Sequence, residues 1–236
     1  ALDQGLVDAV IGVGRVGDGA FERMMPRPVV CRTSEEVLAQ CPGVKPVIAD
    51  TLSVLDDLRP TDKRILFLGV GCQVRALRAL DNLPVEQVYV LGTNCADNVR
   101  SPEALETFLR AVSQSPETAV GFEFMQSYTV DVKHVAGGPI DYERVPVFTL
   151  PSGDLKDIIA PSCYSCVDYS NSLADLVVGY MATPDEGVPM TQHSQYIIVR
   201  NERGQALLDL ISGKLATADA TTGGDRTSFA KRVTEQ

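Results

Sequence analysis

Four cysteines stand at positions where this chain could carry out metal chemistry. Cys163 and Cys166 form a C-x-x-C pair in the polar stretch PSCYSC. Cys72 follows the strand-like run RILFLGV, and Cys95 follows the similar run VYVLGTN. Because consecutive strands of this kind are often neighbours in a sheet, both thiols should emerge at one sheet edge. The four thiols would then form a complete ligand set for a tetrahedral zinc ion or a [4Fe-4S] cluster.

The spacing alone leaves a second interpretation open. In that interpretation Cys72 and Cys95 are small core residues, and only Cys163 and Cys166 pair, as a disulfide or a dithiol. Both Cys72 and Cys95 are predicted to lie at helix N-termini. The helix dipole and free backbone N–H groups there would favour thiolates and could donate to cluster sulfides.

The elements that must position these thiols alternate between strand and helix in the first half of the chain. The strand patterns LVDAVIGV, RPVVCR, RILFLGV and VEQVYVLGT are separated by helix patterns, which predicts an α/β layer structure for residues 1–115. From AVGFEFMQ onward the apolar and polar residues alternate as in an antiparallel ribbon. LADLVVGYM and QYIIVR then predict strands of a mixed sheet, and GQALLDLISGKL predicts a closing helix. We therefore predict an α/β fold in two parts, 1–115 and 116–236.

One glycine-rich stretch matches a nucleotide-binding motif without its structural context. GVGRVG, residues 12–17, follows a strand and fits the dinucleotide fingerprint G-x-G-x-x-G. Pro26 follows too soon for a proper helix to develop, so no helix N-terminus is available for a pyrophosphate. We interpret the stretch as a hairpin loop.

Composition excludes several classes of function. The chain has 236 residues and a net charge of −10, which argues against a nucleic-acid-binding protein. No apolar run reaches the roughly 18 residues that a membrane-spanning helix needs. Six cysteines are too few for a disulfide scaffold and suit a reducing compartment with a metal site. Cys31, in a strand pattern, and Cys41, at a helix end, are predicted to be structural, and His134 and His193 to be surface residues.

The cysteine motifs resemble those of one known family. GVGCQVRALRAL, GTNCADN and SCYSCVDYSNSLADLVVGYM resemble, in this order, three segments of the beta subunits of deazaflavin-coenzyme hydrogenases and dehydrogenases. Within that family, sequences of the photosynthetic branch are resembled most by the segments LGTNC, FEFMQSY, DLKDIIAPSCYSC and QYIIVRNERG. That branch contains 7-hydroxymethyl chlorophyll a reductases and 8-vinyl reductases of divinyl pigments. The resemblance extends over nearly the whole chain.

The resemblance implies an oxidoreductase that uses FAD, [4Fe-4S] clusters and reduced ferredoxin. It assigns one cluster to Cys72, Cys95, Cys163 and Cys166. It also implies a cysteine-rich segment and a glycine-rich flavin segment ahead of ALDQGLVDAV, so we expect this chain to be part of a longer protein. The flavin contacts that we predict here are Gly43 and Lys45 first, followed by Gly69, Gln73 and Asn94. No catalytic proton donor can be assigned from the sequence.

The substrate that the resemblance implies is a chlorophyll-type tetrapyrrole. We expect reduction of the C7 hydroxymethyl group, with 8-vinyl reduction as the alternative. A deazaflavin-dependent oxidoreductase and a non-catalytic zinc-stapled domain are the remaining alternatives. The segment FEFMQSY and the side chains of Tyr164, Tyr169 and Tyr180 are predicted walls of the pigment slot, while Ala182 stands where the family pattern has Gly. The resemblance places the protein in a chloroplast or in the cytoplasm of a cyanobacterium, and it is compatible with a homo-oligomer.

Overall fold

The computed structural model describes residues 1–41, 43, 45–125, 128–135, 140–179, 183, 188 and 192–218, except for the side chain of Asp154. The strands are β1 Ala9–Arg15, β2 Pro26–Cys31, β3 Arg64–Gly69, β4 Gln87–Thr93, β5 Ala119–Phe124, β6 Thr129–His134, β7 Asp141–Pro146, β8 Leu176–Gly179 and β9 Tyr196–Val199. The α-helices are α1 Ala20–Met24, α2 Ser34–Gln40, α3 Gly71–Arg78, α4 Pro102–Val112, α5 Ser152–Leu155 and α6 Glu202–Asp209. Short 3-10 helices include Thr51–Asp57 and Pro161–Ser165.

The larger sheet has a parallel centre and antiparallel edges. Its six strands follow the order β2-β1-β3-β4-β8-β9. Strands β1, β3, β4 and β8 run parallel, while β2 and β9 pair antiparallel with their neighbours. Gly69 pairs with Gly92, and Thr93 pairs with Val178, so the carboxyl ends of β3, β4 and β8 are level. The loops that follow β3 and β4 therefore start at one edge of the sheet.

Both faces of this sheet are buried, as the continuous apolar runs predicted. One face packs Ile11, Phe67 and Val90 against Val74 and Leu77 of α3. The other face packs Val10, Leu66, Tyr89 and Leu176 against Leu207 of α6. A strand whose neighbouring residues face opposite ways must be apolar throughout when helices cover both faces.

A second, smaller sheet carries a separate core. Strands β5, β6 and β7 form a three-stranded antiparallel sheet, as the alternating pattern predicted. Helix α4 begins after its N-cap Ser101, whose hydroxyl accepts a hydrogen bond from the N–H of Ala104. The helix packs on the sheet, where Phe108 and Phe122 have ring centroids 4.6 Å apart.

The predicted α/β fold class is confirmed, with several local differences. Residues 12–15 of the glycine-rich stretch continue strand β1, which pairs antiparallel with β2. A Cβ at Gly14 would lie 2.8 Å from the carbonyl oxygen of Gln40, so a close approach explains that glycine. His193 is buried, which contradicts its predicted surface position. The division at residue 115 stays a prediction, and β8 and β9 join the sheet formed by β1–β4.

The last helix also differs in its bounds. We predicted it over residues 204–215, whereas α6 occupies Glu202–Asp209 and a short 3-10 helix follows at Ser212–Lys214. The helix begins earlier because the side chain of Asn201 accepts a hydrogen bond from the N–H of Gly204 and so caps it. Residues 219–236 lie outside the described part of the chain.

Candidate metal centre and adjoining cavity

The four predicted ligands lie on three loops at the carboxyl edge of the larger sheet. Cys72 is in the first turn of α3, three residues after the end of β3. Cys95 follows the end of β4 by two residues. Cys163 is in the 3-10 helix Pro161–Ser165, and Cys166 directly follows that helix. Cys72 and Cys166 are exposed, while Cys95 and Cys163 are half-buried.

Backbone hydrogen bonds join the loop after β4 to the segment that carries the C-x-x-C pair. The N–H of Cys95 donates to the carbonyl of Tyr169 at 3.2 Å. The N–H of Ala160 donates to Asn98 at 2.8 Å, and the N–H of Arg100 donates to Ile158 at 2.9 Å. These bonds hold residues 94–100 in a non-helical loop, so the predicted helix N-terminus at Cys95 is wrong and α4 begins only at Pro102.

Asp168 fixes the C-x-x-C loop against α3. Its carboxylate accepts hydrogen bonds from the N–H of Ser172 at 2.8 Å and from Nε of Arg75 at 3.1 Å. Burial alone would raise the pKa of Asp168, but these bonds outweigh it and leave the pKa below its ordinary value. A Cβ at Gly71 would lie 2.7 Å from the carbonyl oxygen of Asp168, so only glycine permits this approach.

Cys72 and Cys95 lie close enough to other thiols of the set for these to affect their pKa values. Burial, reinforced by the neighbouring Cys72 and Cys163 thiols, raises the pKa of Cys95 to about 12. Burial also raises the pKa of Cys72, and Cys163 and Cys166 add to that effect. The predicted stabilisation of a thiolate by a helix dipole is therefore outweighed at Cys72, and Cys95 has no helix N-terminus to provide it. A cation at the centre of the four sulfurs would reverse this balance, because a coordinating thiol is deprotonated.

The donor set can be compared with the two metal groups that the sequence left open. Within the described part of the chain, no three His, Cys, Asp or Glu side chains lie close enough to hold one metal ion. Four thiolates about 2.3 Å from one zinc ion would need sulfurs about 3.8 Å apart. A [4Fe-4S] cluster spreads its thiolates further because each binds a different iron. Four thiols are donors that both groups accept, so the donor set fits a [4Fe-4S] cluster, and the choice between the cluster and a zinc ion stays a prediction.

A cavity of about 590 Å³ lies beside the thiols. Cys95 and Asn94 line it from the larger sheet, Phe122 and Phe124 from the smaller sheet, and Tyr169 from the C-x-x-C loop. Its volume is within the range of about 300–1,000 Å³ that is typical of small-molecule sites. The aromatic rings and the cysteine loops thus face one another across a space that can hold a flat ligand.

Lys45 brings a positive charge to this cavity. Its Nζ donates to the carbonyl of Gly43 at 3.4 Å, and no carboxylate of the described residues forms a salt bridge with it. Burial lowers the pKa of Lys45, and the like charges of Arg15 and Lys133 lower it further. An anionic group in the cavity would relieve this repulsion.

The other predicted flavin contacts are placed differently. Among the described residues Lys45 and Asn94 line the cavity, while Gly43, Gly69 and Gln73 do not. The amide of Gln73 caps α3 by accepting from Val70 and donates to Ala49 and Thr51. The flavin role of all five residues stays a prediction.

The predicted pigment walls are only partly within the described chain. Tyr164, Tyr169 and the FEF portion of FEFMQSY line the cavity. Tyr180 and Ala182 lie outside the described residues, as do Gln126 and Ser127.

Sequence reasoning missed several residues that support the site. Asp168 and Asn171 stand in the matched cysteine segment, but the segment gives no signal of what they contact. Cys31 and Cys41 were predicted to be structural separately, whereas their thiols lie close enough for each to affect the pKa of the other. Burial raises the pKa of Cys31 to about 12.

Two family models match almost all of the chain. Residues 1–56 match the N-terminal model of the coenzyme F420 hydrogenase/dehydrogenase beta subunit, and residues 62–222 match the C-terminal model. The chain belongs to this beta-subunit family. The family predicted from the cysteine motifs is therefore confirmed.

Individual relatives of this chain come from photosynthetic organisms and methanogens. It is 50% identical to the chloroplastic 7-hydroxymethyl chlorophyll a reductase of Oryza sativa subsp. japonica, over 97% of this chain and 47% of the rice protein. It is 44% identical to an uncharacterized protein of Nostoc sp., over 95% of this chain and 53% of that protein. The chain thus spans about half the length of the curated relatives it matches.

A solved structure has the same fold. A chain of the F420-reducing [NiFe] hydrogenase complex from Methanosarcina barkeri superposes with a TM-score of 0.69 and 23% identity, covering 91% of this chain and 69% of that one. In the described part of the present chain, no helix is both long and apolar enough to cross a membrane.

Proposed function

We propose that the protein containing this chain is an iron–sulfur flavoprotein reductase of chlorophyll-type pigments. The most specific form of the proposal is reduction of the C7 hydroxymethyl group to a methyl group. The observation that carries it is the position of four cysteines from three loops beside a cavity with aromatic walls. The 50% identity to a 7-hydroxymethyl chlorophyll a reductase supports the choice of substrate.

The net chemistry determines which cofactors such a protein needs. Conversion of a hydroxymethyl group to a methyl group consumes two electrons and two protons and releases one water molecule. A [4Fe-4S] cluster exchanges single electrons, whereas FAD stores two electrons and delivers them together. In a protein that takes electrons singly from reduced ferredoxin and reduces a carbon centre, the cluster would relay single electrons to FAD, and FAD would deliver them to the pigment as a pair.

The chain's own residues have distinct roles in this proposal. Cys72, Cys95, Cys163 and Cys166 hold the cluster. Lys45 places a positive charge where an anionic group of FAD or of the pigment would bind, and it thereby orients that ligand in the cavity.

The walls of the cavity include aromatic rings that could contact a flat ligand. The rings of Phe122 and Phe124 are at 85° to each other with centroids 6.0 Å apart, so the edge of one ring meets the face of the other. Tyr164 and Tyr169 border the cavity next to the cysteines. An apolar ring system placed between these walls would lie close to the cluster ligands.

The compartment follows from the same relatives. The rice protein is named as chloroplastic, and the second relative comes from a cyanobacterium. We propose a chloroplast, or the cytoplasm of a cyanobacterium, as the site of action.

A substrate comparison tests the proposal. The full-length protein with reduced ferredoxin is offered 7-hydroxymethyl chlorophyll a and divinyl chlorophyllide a in separate reactions, and the products are resolved by chromatography. We expect the first pigment to be converted at least ten times faster. Faster vinyl reduction would assign the protein to the 8-vinyl reductases. Turnover of neither pigment, with turnover of a reduced deazaflavin, would overturn the proposal.

A further inference from the structure

Asn171 occupies a demanding position between the C-x-x-C pair and strand β8. Its side chain is fully buried, with 0% exposure. Its backbone has a φ of 52°, in the left-handed region that Asn tolerates better than most residues. Its own N–H donates to the carbonyl of Asp168, and its carbonyl accepts from Ala174. The local turn thus directs this side chain inward, towards the sheet edge.

The amide of Asn171 connects the ends of two strands. Nδ2 donates to the carbonyl of Gly69 at 2.8 Å and to the carbonyl of Thr93 at 3.3 Å. Gly69 ends β3, three residues before Cys72, and Thr93 ends β4, two residues before Cys95. Asn171 itself belongs to the loop that carries Cys163 and Cys166. One amide group therefore joins all three cysteine loops.

The residues around Asn171 accommodate the Nδ2 group of its amide. A Cβ at Gly92 would lie 2.4 Å from Nδ2 of Asn171, so a larger residue at position 92 would displace the amide. Oδ1 of Asn171 is buried and has no hydrogen-bond partner among the described residues. A buried acceptor without a partner is unfavourable. The stabilising contacts of this side chain are therefore the two hydrogen bonds that Nδ2 donates.

We infer that Asn171 is a positioning residue that sets the separation of the three cysteine loops and so the fit of the metal group between them. This inference rests on the proposed function for the identity of that group. The amide acts through geometry, since it contacts the strand ends and none of the four sulfurs. Its two bonds fix where the chain leaves β3 and β4 relative to the C-x-x-C loop. Loss of these bonds should let the loops move apart while the sheet stays intact.

Two variants of the full-length protein separate this role from general stability. Asn171→Asp keeps the shape and the tolerance of a left-handed backbone, but it sets a carboxylate oxygen against two carbonyl oxygens. Asn171→Gly keeps the backbone conformation and removes the amide. Asn201→Ala is the control, because the side-chain amide that it removes caps α6 and bonds Asp175 instead of the strand ends.

The first measurements are made on purified protein after anaerobic reconstitution with iron and sulfide. We expect Asn171→Asp to retain at most one fifth of the wild-type cluster, measured by iron content and by the visible absorption band. We expect Asn171→Gly to keep more cluster, with an altered electron paramagnetic resonance signal and a shifted midpoint potential. Asn201→Ala should lower thermal stability without changing either the signal or the potential.

A second measurement uses protein without a cluster, so it does not depend on the proposed function. A bifunctional thiol reagent is applied under reducing conditions, and the link between Cys72 and Cys163 is quantified by peptide mapping. We expect the yield to fall at least threefold in both Asn171 variants and to stay unchanged in Asn201→Ala. Unchanged cross-linking and unchanged spectra in Asn171→Gly would overturn the inference. A wild-type protein that takes up no iron would instead overturn the proposed function and leave the cross-linking comparison to decide on Asn171.

Discussion

Replacing Asp175 by Asn should lower the free energy of unfolding of the chain substantially. The carboxylate is fully buried and accepts hydrogen bonds from Val90 N–H at 2.8 Å and from Asn201 Nδ2 at 2.8 Å. It also forms salt bridges with Arg78 at 3.1 Å and with Arg203 at 3.0 Å. Both carboxylate oxygens accept from charged or backbone donors. The amide of an Asn would therefore set an N–H against at least one of these donors.

The size of the effect follows from the loss of a buried charge among two guanidinium groups. Removing one partner of a buried ion pair costs about 3–5 kcal/mol. With a denaturant slope of about 2 kcal/mol per molar urea, the unfolding midpoint should fall by about 1.5–2.5 M. Glu106→Gln is the control, because its ion pair with Arg110 on α4 is exposed and contributes at most about 0.5 kcal/mol.

The same carboxylate predicts how the difference depends on pH. Burial alone would raise the pKa of Asp175, but bonds from Arg203, Asn201 and Val90 outweigh it and leave the pKa below its ordinary value. A carboxyl with a lowered pKa stabilises the fold fully above its unfolded pKa of about 3.9, and this stabilisation is lost as the pH falls through the folded pKa.

Urea unfolding followed by circular dichroism at several pH values tests both statements. The wild type and Asp175→Asn should differ most at neutral pH, and the difference should shrink below about pH 4. A loss at pH 7 no larger than that of Glu106→Gln, or a difference that persists unchanged at pH 3, would refute the reasoning.

Three further predictions concern the thiols, the cation and a glycine. Cys163→Ser should abolish the visible cluster band and destabilise the protein, because cluster binding is coupled to folding, whereas Cys41→Ser should keep the band; equal loss in both, measured by absorption and iron content, would show that the ligand set is wrong. Lys45→Met should weaken FAD binding in the full-length protein at least tenfold, about 1.4 kcal/mol, without lowering the stability of the flavin-free form, because the cation is half-buried beside like charges; titration calorimetry that finds equal affinity would contradict it. Gly204→Ala should lower the free energy of unfolding by about 1–3 kcal/mol, because the added Cβ would lie 2.0 Å from the carbonyl oxygen of Asp175; an unchanged urea midpoint would show that α6 shifts without cost.

Much of the fold could be predicted because its signals are local. The run RILFLGV is apolar on both of its faces, and this pattern by itself predicts a parallel strand that is buried on both faces. Ser101 and Pro102 predict the start of α4 from residues within one turn. The helix N-terminus predicted at Cys95 failed for the opposite reason. Residues 94–100 are held in a non-helical loop by bonds to a segment about 60 residues further along the chain, and no local pattern reports such bonds.

The sequence by itself determined the family and the four candidate ligands, because thiols at fixed spacing after apolar strands are visible in the order of the residues. The tertiary structure alone decided how those ligands are held. Asn171 and Gly69 are 102 positions apart, yet their hydrogen bond is part of what brings the cysteine loops together. Packing between distant segments likewise sets the neighbours of Lys45, the contact of Cys31 with Cys41 and the walls of the cavity. The physical reason is that periodicity encodes which face of an element is buried, whereas the partner on that face is chosen only when the sheet assembles.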